Sequence, residues 1–536
     1  QLWVPPGVVE GDWEAQKLIL NQDGTSLNKG IYTKDILKEA YGFNIYLDFS
    51  ASMEKFVSSG AIKAWKPLPY DWRLDFRHIV QSGIVDDDKI NYSGETTATP
   101  YILEEIKKLI SSSDNGKVAI VAHSQGGLIA KTLLKQLEDE NHPYHYLLKG
   151  IDKLILVASP QLGTPRAIAG LLHGDLESIA GGIFLTQTTA RTLAENMPSA
   201  YNLLPSEKYF EKVDTETQPL LDFDSSLAGT NLEYIAGTAI TNAEDLYRFL
   251  TDDKNRTKPS TDDITKPNIL NKYLLSAATT THNTFLDEWK APKNIEVVQI
   301  AGWGLDTVRG MRYFVSECGP ATIAAYEYCR ELLMTSEGDE AVVYPSALAT
   351  SDAPSKYYFD LKEFNSWGEG NWNSSHAYLF ETQPIQELVQ QIVQNKVDED
   401  NLPRYVTVEK PVEHQPRFRL AVKSPVSIDI YDSFGRHTGL SPNQKNQSPD
   451  FVLIDKQIPN SYYYEIDGHK HLGLDSIGSH SIILRGLDLG TFTFELDKVL
   501  NDQTIGQNVF AAIPVTAKTI GTLAIDGDAI KSLRLD

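Results

Sequence analysis

Hydrophobic positions follow two rhythms along the chain, and the change comes near residue 404. Before it, short apolar runs alternate with segments of helical spacing. Leu103, Ile106, Leu109 and Ile110 mark one face of an amphipathic helix, and Lys117–Ala122 follows as a short buried strand. Leu128–Leu137 again has helical spacing, while Leu154–Ser159 and Ile295–Ala301 read as buried strands. Ile385, Leu388, Val389, Ile392 and Val393 line a closing helix, with Thr382 and Pro384 at its start. Strands alternating with helices predict an α/β fold, its mostly parallel sheet covered on both faces. From Pro165 to Lys293 the rhythm breaks. A stretch that long needs helices of its own and is read as a cap inserted over the strand ends.

After residue 404, strand-like runs recur between Gly, Pro, Asn and Asp clusters. They include Tyr405–Val408, Phe418–Val422, Ser427–Tyr431, Tyr462–Ile466, Ser481–Leu484 and Thr522–Ile525. That spacing predicts an antiparallel β-sandwich. The expected organisation is therefore an α/β domain over 1–403, with the cap at about 165–293, then a β-sandwich over 404–536. Asp398–Pro403 serves as the linker.

Composition narrows the classes. With 41% hydrophobic and 23% charged residues, the 536-residue chain has the balance of a folded protein. No apolar run reaches the length of a membrane-spanning helix. The net charge of −23, with no basic stripe, excludes a nucleic-acid binder. Two cysteines, Cys318 and Cys329, are too few for a disulfide-built scaffold. They form either one disulfide or two buried thiols. The chain begins at Gln1 rather than Met, so an upstream segment is expected to have been removed.

The chemistry starts at Ala122-His123-Ser124-Gln125-Gly126-Gly127, between an apolar strand and a helix. This is the layout of a nucleophile elbow, in which a strained turn exposes the serine hydroxyl. Ala122 and Gly126 are the small residues expected where strand and helix approach. The Gln125 N–H is one expected oxyanion donor. A serine nucleophile needs a histidine base and a carboxylate to orient it, in the chain order Ser, acid, His. Five histidines lie between Ser124 and the sandwich: His142, His145, His173, His282 and His376. His376, in a polar loop just before the closing helix, is the expected base. Asp339, in a Gly-Asp turn ahead of it, is the expected acid; Asp306, Glu337 and Asp352 are its rivals.

Taken together, several blocks resemble the lecithin:cholesterol acyltransferase-like α/β-hydrolases. They are Pro69-Tyr-Asp71-Trp72-Arg73-Leu74, the elbow at Ser124, Ser159-Pro-Gln-Leu-Gly163-Thr-Pro165, Pro198-Ser-Ala-Tyr-Asn-Leu-Leu-Pro205, Gly338-Asp339 and Ser375-His376. The resemblance spans about residues 1–400. It implies an acyl-ester hydrolase or acyltransferase, often lipid-directed, with Ser124 as nucleophile, His376 as base and Asp339 as its orienting acid. The family's loop for the other oxyanion N–H precedes the segment matched at Gln1-Leu-Trp-Val-Pro, so that second donor is expected outside the chain. The acid segment reads Gly-Asp-Glu-Ala-Val where the family has Gly-Asp-Gly-Thr-Val.

The expected function is a secreted or cell-surface serine hydrolase acting on lipid or other esters, possessing a cap that makes an apolar acyl pocket and a peripheral surface contact. Phe184, Leu185 and Trp289 are candidate lining residues, with core packing as the alternative role for each. The competing class is a binding or adhesion protein that keeps the hydrolase scaffold. An amidase on the same triad is a third reading. No Gly-x-Gly-x-x-Gly, Walker loop, Cys/His cluster or calcium loop is present, so no cofactor or metal is expected.

Overall fold

The computed structural model of the protein describes residues 15–40, 43–93, 99–176, 178–180, 183–315, 328–367, 373–423, 425–442, 451–527 and 529–536. Its α/β part is built from helix α1 (Tyr101–Ser112), strand β1 (Val118–His123), helix α2 (Gln125–Leu137) and strand β2 (Ile151–Val157). Strands β3 (Glu296–Trp303), β4 (Leu305–Val315), β5 (Tyr328–Gly338) and β6 (Ser355–Asp360) come next. Helices α3 (Leu361–Ser366) and α4 (Gln383–Val393) and strand β7 (Val406–Thr407) complete it.

The central sheet runs in the order β7-β6-β3-β2-β1. β1, β2, β3 and β6 are parallel, and β7 adds antiparallel at the far edge. Strand alternation distributes the core. Leu154 and Leu156 of β2 pack with α1 and α2 residues such as Ile106 and Leu134. Ile155 and Val157 face the other way, onto Ile385, Leu388 and Ile392 of α4. Pro384 sits in the first turn of α4, as its sequence position predicts, but Thr382 makes no side-chain cap bond. Instead its hydroxyl donates to the Leu379 carbonyl.

Two sequence readings need correction here. β1 is not a fully buried strand. Among the described residues it pairs only with β2, and most of its side chains are half-buried. A trough of about 1620 Å³ follows that open edge, lined by all of β1 together with Ile106, Trp65, Tyr70 and Phe380. The run at Tyr405–Val408 is not a sandwich strand. Its core, β7, pairs with β6 of the α/β sheet, because Phe359 and Tyr358 offer the free edge it completes.

The stretch expected as a cap, 165–293, carries its own helices, including Pro165–His173 and Ala243–Leu250. It also has a strand, Leu221–Phe223, which pairs parallel to β4; outside the stretch, β4 forms a long antiparallel hairpin with β5. Beyond β7, two largely antiparallel sheets share an apolar core that includes Phe418, Ile428, Leu472, Ile482 and Phe494. One of them is extended by the cap, whose strand Ile183–Leu185 pairs with β8 (Phe451–Lys456). From the other sheet, Tyr462, Tyr464 and Ile466 of β9 (Tyr462–Ile466) join the core of the cap. Cys329 is buried and disulfide-bonded, while Cys318 lies outside the described residues. Among the described residues no helix is long and apolar enough to cross a membrane.

Candidate active site

Ser124 occupies the single residue between β1 and α2. Its backbone takes φ 52° and ψ −129°, a conformation L-residues seldom adopt. The strand ends at His123 and the helix begins at Gln125, so one residue makes the whole reversal. The Ser124 N–H donates to the Val157 carbonyl at 3.0 Å, which ties the turn to β2. The small residue that this geometry demands is Gly127, where Gly126 had been expected. A Cβ on Gly127 would sit 2.0 Å from Ser159 Oγ and 2.6 Å from Ser159 Cβ. At Gly126 its nearest neighbour would be the Tyr70 hydroxyl, at an ordinary 3.7 Å.

His376 opens a short 3-10 helix, His376–Glu381, ahead of α4. Its Nε2 lies 2.7 Å from Ser124 Oγ and its Nδ1 lies 2.9 Å from Asp339 Oδ2. A carboxylate can only accept, so Nδ1 carries the proton and Nε2 is left to accept from the serine hydroxyl. Asp339 follows the last residue of β5. Its other oxygen accepts from the N–H groups of Ala341 at 3.1 Å and Val342 at 2.8 Å. The turn therefore fixes one carboxylate oxygen and leaves the second for the imidazole. The Asp339 side chain is 1% exposed and that of His376 15%. The backbone locks the pair again, with the His376 N–H donating to the Asp339 carbonyl at 2.9 Å. Three distant segments of the chain thus converge on one hydrogen-bonded line. Gln125 takes the first position of α2, where a backbone N–H has no partner within the helix.

His123 was not singled out by sequence reasoning. Its Nε2 donates to the His376 carbonyl at 2.9 Å, and its Nδ1 accepts from the Tyr46 hydroxyl at 2.7 Å. Its ring centre lies 5.1 Å from that of His376 and 5.3 Å from that of Phe380. Burial, with the neighbouring His376 adding to it, lowers the His123 pKa to about 3. Burial likewise holds the Tyr46 phenol well above its ordinary value. The available signal was a histidine ending an apolar strand directly before the serine.

The Asp71-Trp72-Arg73 block forms a brace. The Arg73 guanidinium grips Asp71 at 2.8 and 2.6 Å and donates to the Leu18 carbonyl. The Gln125 side-chain amide donates to the Trp72 carbonyl at 3.1 Å, so the block also holds the residue after Ser124.

The other candidates lie elsewhere. Asp306 pairs with Arg417 and Arg419, Glu337 pairs with Lys410, and Asp352 is exposed. His173 bonds to the Ile264 carbonyl and the Tyr313 hydroxyl, and His282 bonds to Asp287. His145 holds the Leu137 carbonyl. Leu185 and Trp289 are packed into cores, and the Phe184 side chain lies outside the described residues. Neither Ser124, Asp339 nor His376 lines the trough along β1. Among the described residues no group of three or more His, Cys, Asp or Glu side chains could hold a metal ion.

A family model described as lecithin:cholesterol acyltransferase matches residues 27–351, more than half of the chain. The matched stretch contains Ser124 and Asp339 and stops before His376. The search of curated proteins found no match. Among solved structures, one titled "The crystal structure of Tle4-Tli4 complex" is similar at 16% identity, with a TM-score of 0.35. The alignment covers 55% of this chain and 64% of that one, so the chain spans less than two thirds of that structure's length.

Proposed function

We propose that this chain, which belongs to the lecithin:cholesterol acyltransferase family, is a serine hydrolase that cleaves carboxylic esters, lipid esters foremost, through an acyl-enzyme. The reading rests on one observation: the line from Ser124 Oγ through His376 to Asp339, at 2.7 and 2.9 Å. Ser124 Oγ attacks the ester carbonyl carbon while His376 Nε2 takes its proton. The developing oxyanion is held by backbone N–H groups, that of Gln125 among them. Asp339 keeps the Nδ1–H tautomer and stabilises the imidazolium. As the carbonyl reforms, the C–O bond to the leaving alcohol breaks, and His376 returns its proton to that oxygen. Water or a second alcohol, deprotonated by His376, then attacks the acyl-enzyme and frees Ser124.

The neutral His123 suits this cycle. A second positive charge beside His376 would oppose formation of the imidazolium. The disulfide at Cys329 fits an oxidising compartment, and we place the protein outside the cytosol on that ground.

Labelling of the folded chain with a fluorophosphonate, followed by peptide mapping, tests the proposal. Modification at Ser124 is expected, absent in Ser124→Ala and slowed in His376→Ala, together with hydrolysis of short- or long-chain esters in preference to the matching amides. A folded chain that neither labels nor hydrolyses any ester would overturn it and leave a scaffold retained for binding.

A further inference from the structure

The C-terminal sheets reach into the segments that carry His376 and Asp339. Between β8 and β9 the chain turns at Asn460, which is 9% exposed and has φ 59°. Asparagine is one of the few residues that accept this left-handed backbone. Its N–H donates to Asn373 Oδ1 at 2.7 Å. Asn373 in turn donates to the Ser461 carbonyl at 2.8 Å. The Asn460 side chain donates to the Lys362 carbonyl of α3 at 3.1 Å and to Asp475 at 2.6 Å. Its Oδ1 accepts from the Asn365 amide at 3.0 Å. Asn365 closes the circuit on the base's own loop: its Nδ2 donates to the Ser374 carbonyl and its Oδ1 accepts from the Ser374 N–H, both at 2.9 Å. Ser374 stands two residues before His376.

The acid's strand is anchored from the same side. At the turn after Gly490–Leu500, Asp502 accepts from the Thr335 hydroxyl at 2.5 Å and from the Ser336 N–H at 2.9 Å. Both belong to the end of β5 that delivers Asp339. Lys456 of β8 pairs with Glu340 at 2.6 Å, directly after the acid. Both partners of the Ser124 line are therefore held by one part of the chain, beyond the stretch that matches the family.

We propose that Asn460 is a positioning residue for His376, and that the C-terminal β region is a working component of the active site and not a spacer. This rests on the proposed role of the Ser124–His376–Asp339 line. A buried network satisfied on every side is stiff, and polar networks of this kind specify one arrangement. Displacing a base by about 1 Å can cost roughly 100-fold in rate.

The test uses the full chain with two readouts. One is amide exchange of peptides covering 373–381, with 118–124 as internal reference. The other is kcat and KM on a short-chain ester. Asn460→Gly keeps the left-handed turn and removes the side chain; Asn373→Ala cuts the same link more gently. The expected result for Asn460→Gly is at least about tenfold faster exchange in 373–381, with 118–124 unchanged. Its kcat should fall about 10–100-fold at constant KM. Asn373→Ala should move the same way and further by less, and it alone decides if the glycine variant does not fold. Lys423→Ala, which breaks a half-buried pair with Glu495 of the neighbouring strand, should move neither readout. Unchanged exchange in both loop variants overturns the proposal, as does faster exchange at full kcat. A wild type inert toward all esters overturns the functional reading instead, and the exchange result then still decides whether Asn460 holds the loop.

Discussion

At the scale of single residues, the three groups of the line are constrained in different ways, and substitutions should separate them. Asp339 is buried, bound to two N–H groups of its own turn, and meets the imidazole with one oxygen. Asp339→Asn keeps the shape but presents a donor where an acceptor is needed. The expected loss in kcat is about 10⁴, with near-normal thermal stability. Gly127→Ala is a packing test. Its methyl would enter the space of Ser159, so overpacking should lower stability by about 1–3 kcal/mol in denaturant unfolding. His437 titrates in the opposite sense from most buried histidines. Burial works against its charge, but hydrogen bonds to Asp429 and Asp455 outweigh that and raise its pKa above the ordinary value. A raised folded pKa means stability present below the unfolded value of about 6.5 and lost as pH rises through the folded value. His437→Gln should therefore destabilise the protein at pH 5–6 and much less at pH 9, a difference read from unfolding midpoints.

At the scale of elements, the Asp339 hairpin depends on contacts far from the site. Arg330 of β5 is buried between Asp175 of the cap, at 2.9 Å, and Asp467 of the turn after β9. Arg330→Ala would strand two buried carboxylates and should cost about 3–5 kcal/mol in thermal or denaturant unfolding. The hairpin was hard to read in the sequence because only its pairing partner, 21 residues away at Met311↔Leu332, makes it a strand. Helices α1, α2 and α4 were legible because their apolar positions repeat at helical spacing whatever they pack against. Strands His437–Leu440 and His469–Asp475 went unread. Their histidines, glycines and lysine break apolar alternation, and they enter the sheets only through pairing with strands on both sides.

For the whole molecule, several histidines are buried in the neutral form. Burial brings the pKa of His123 and His471 to about 3 and places His173 well below its ordinary value. In the unfolded chain these groups would titrate near 6.5. Depressed folded values give stability that is present above pH 6.5 and lost as pH falls toward 3, by about 1.4 kcal/mol per pH unit for each such proton. The midpoint of thermal unfolding should drop steeply between pH 6.5 and 4, followed calorimetrically, with His437 the group that opposes the trend. What the sequence determined by itself is local. The elbow at Ser124 follows from an apolar strand meeting a helix with one residue between them. The helix faces follow from spacing, and the family blocks follow from residue identity. What only the tertiary structure decided is whatever depends on partners distant in the chain. That includes the placement of β7 in the α/β sheet and the meeting of His376 with Asp339 rather than with Asp306, which Arg417 and Arg419 occupy. It also includes the turn at Asn460 that reaches the loop of His376. Short-range spacing carries no record of such meetings, because hydrogen bonds between segments about a hundred residues apart exist only once both are folded against each other.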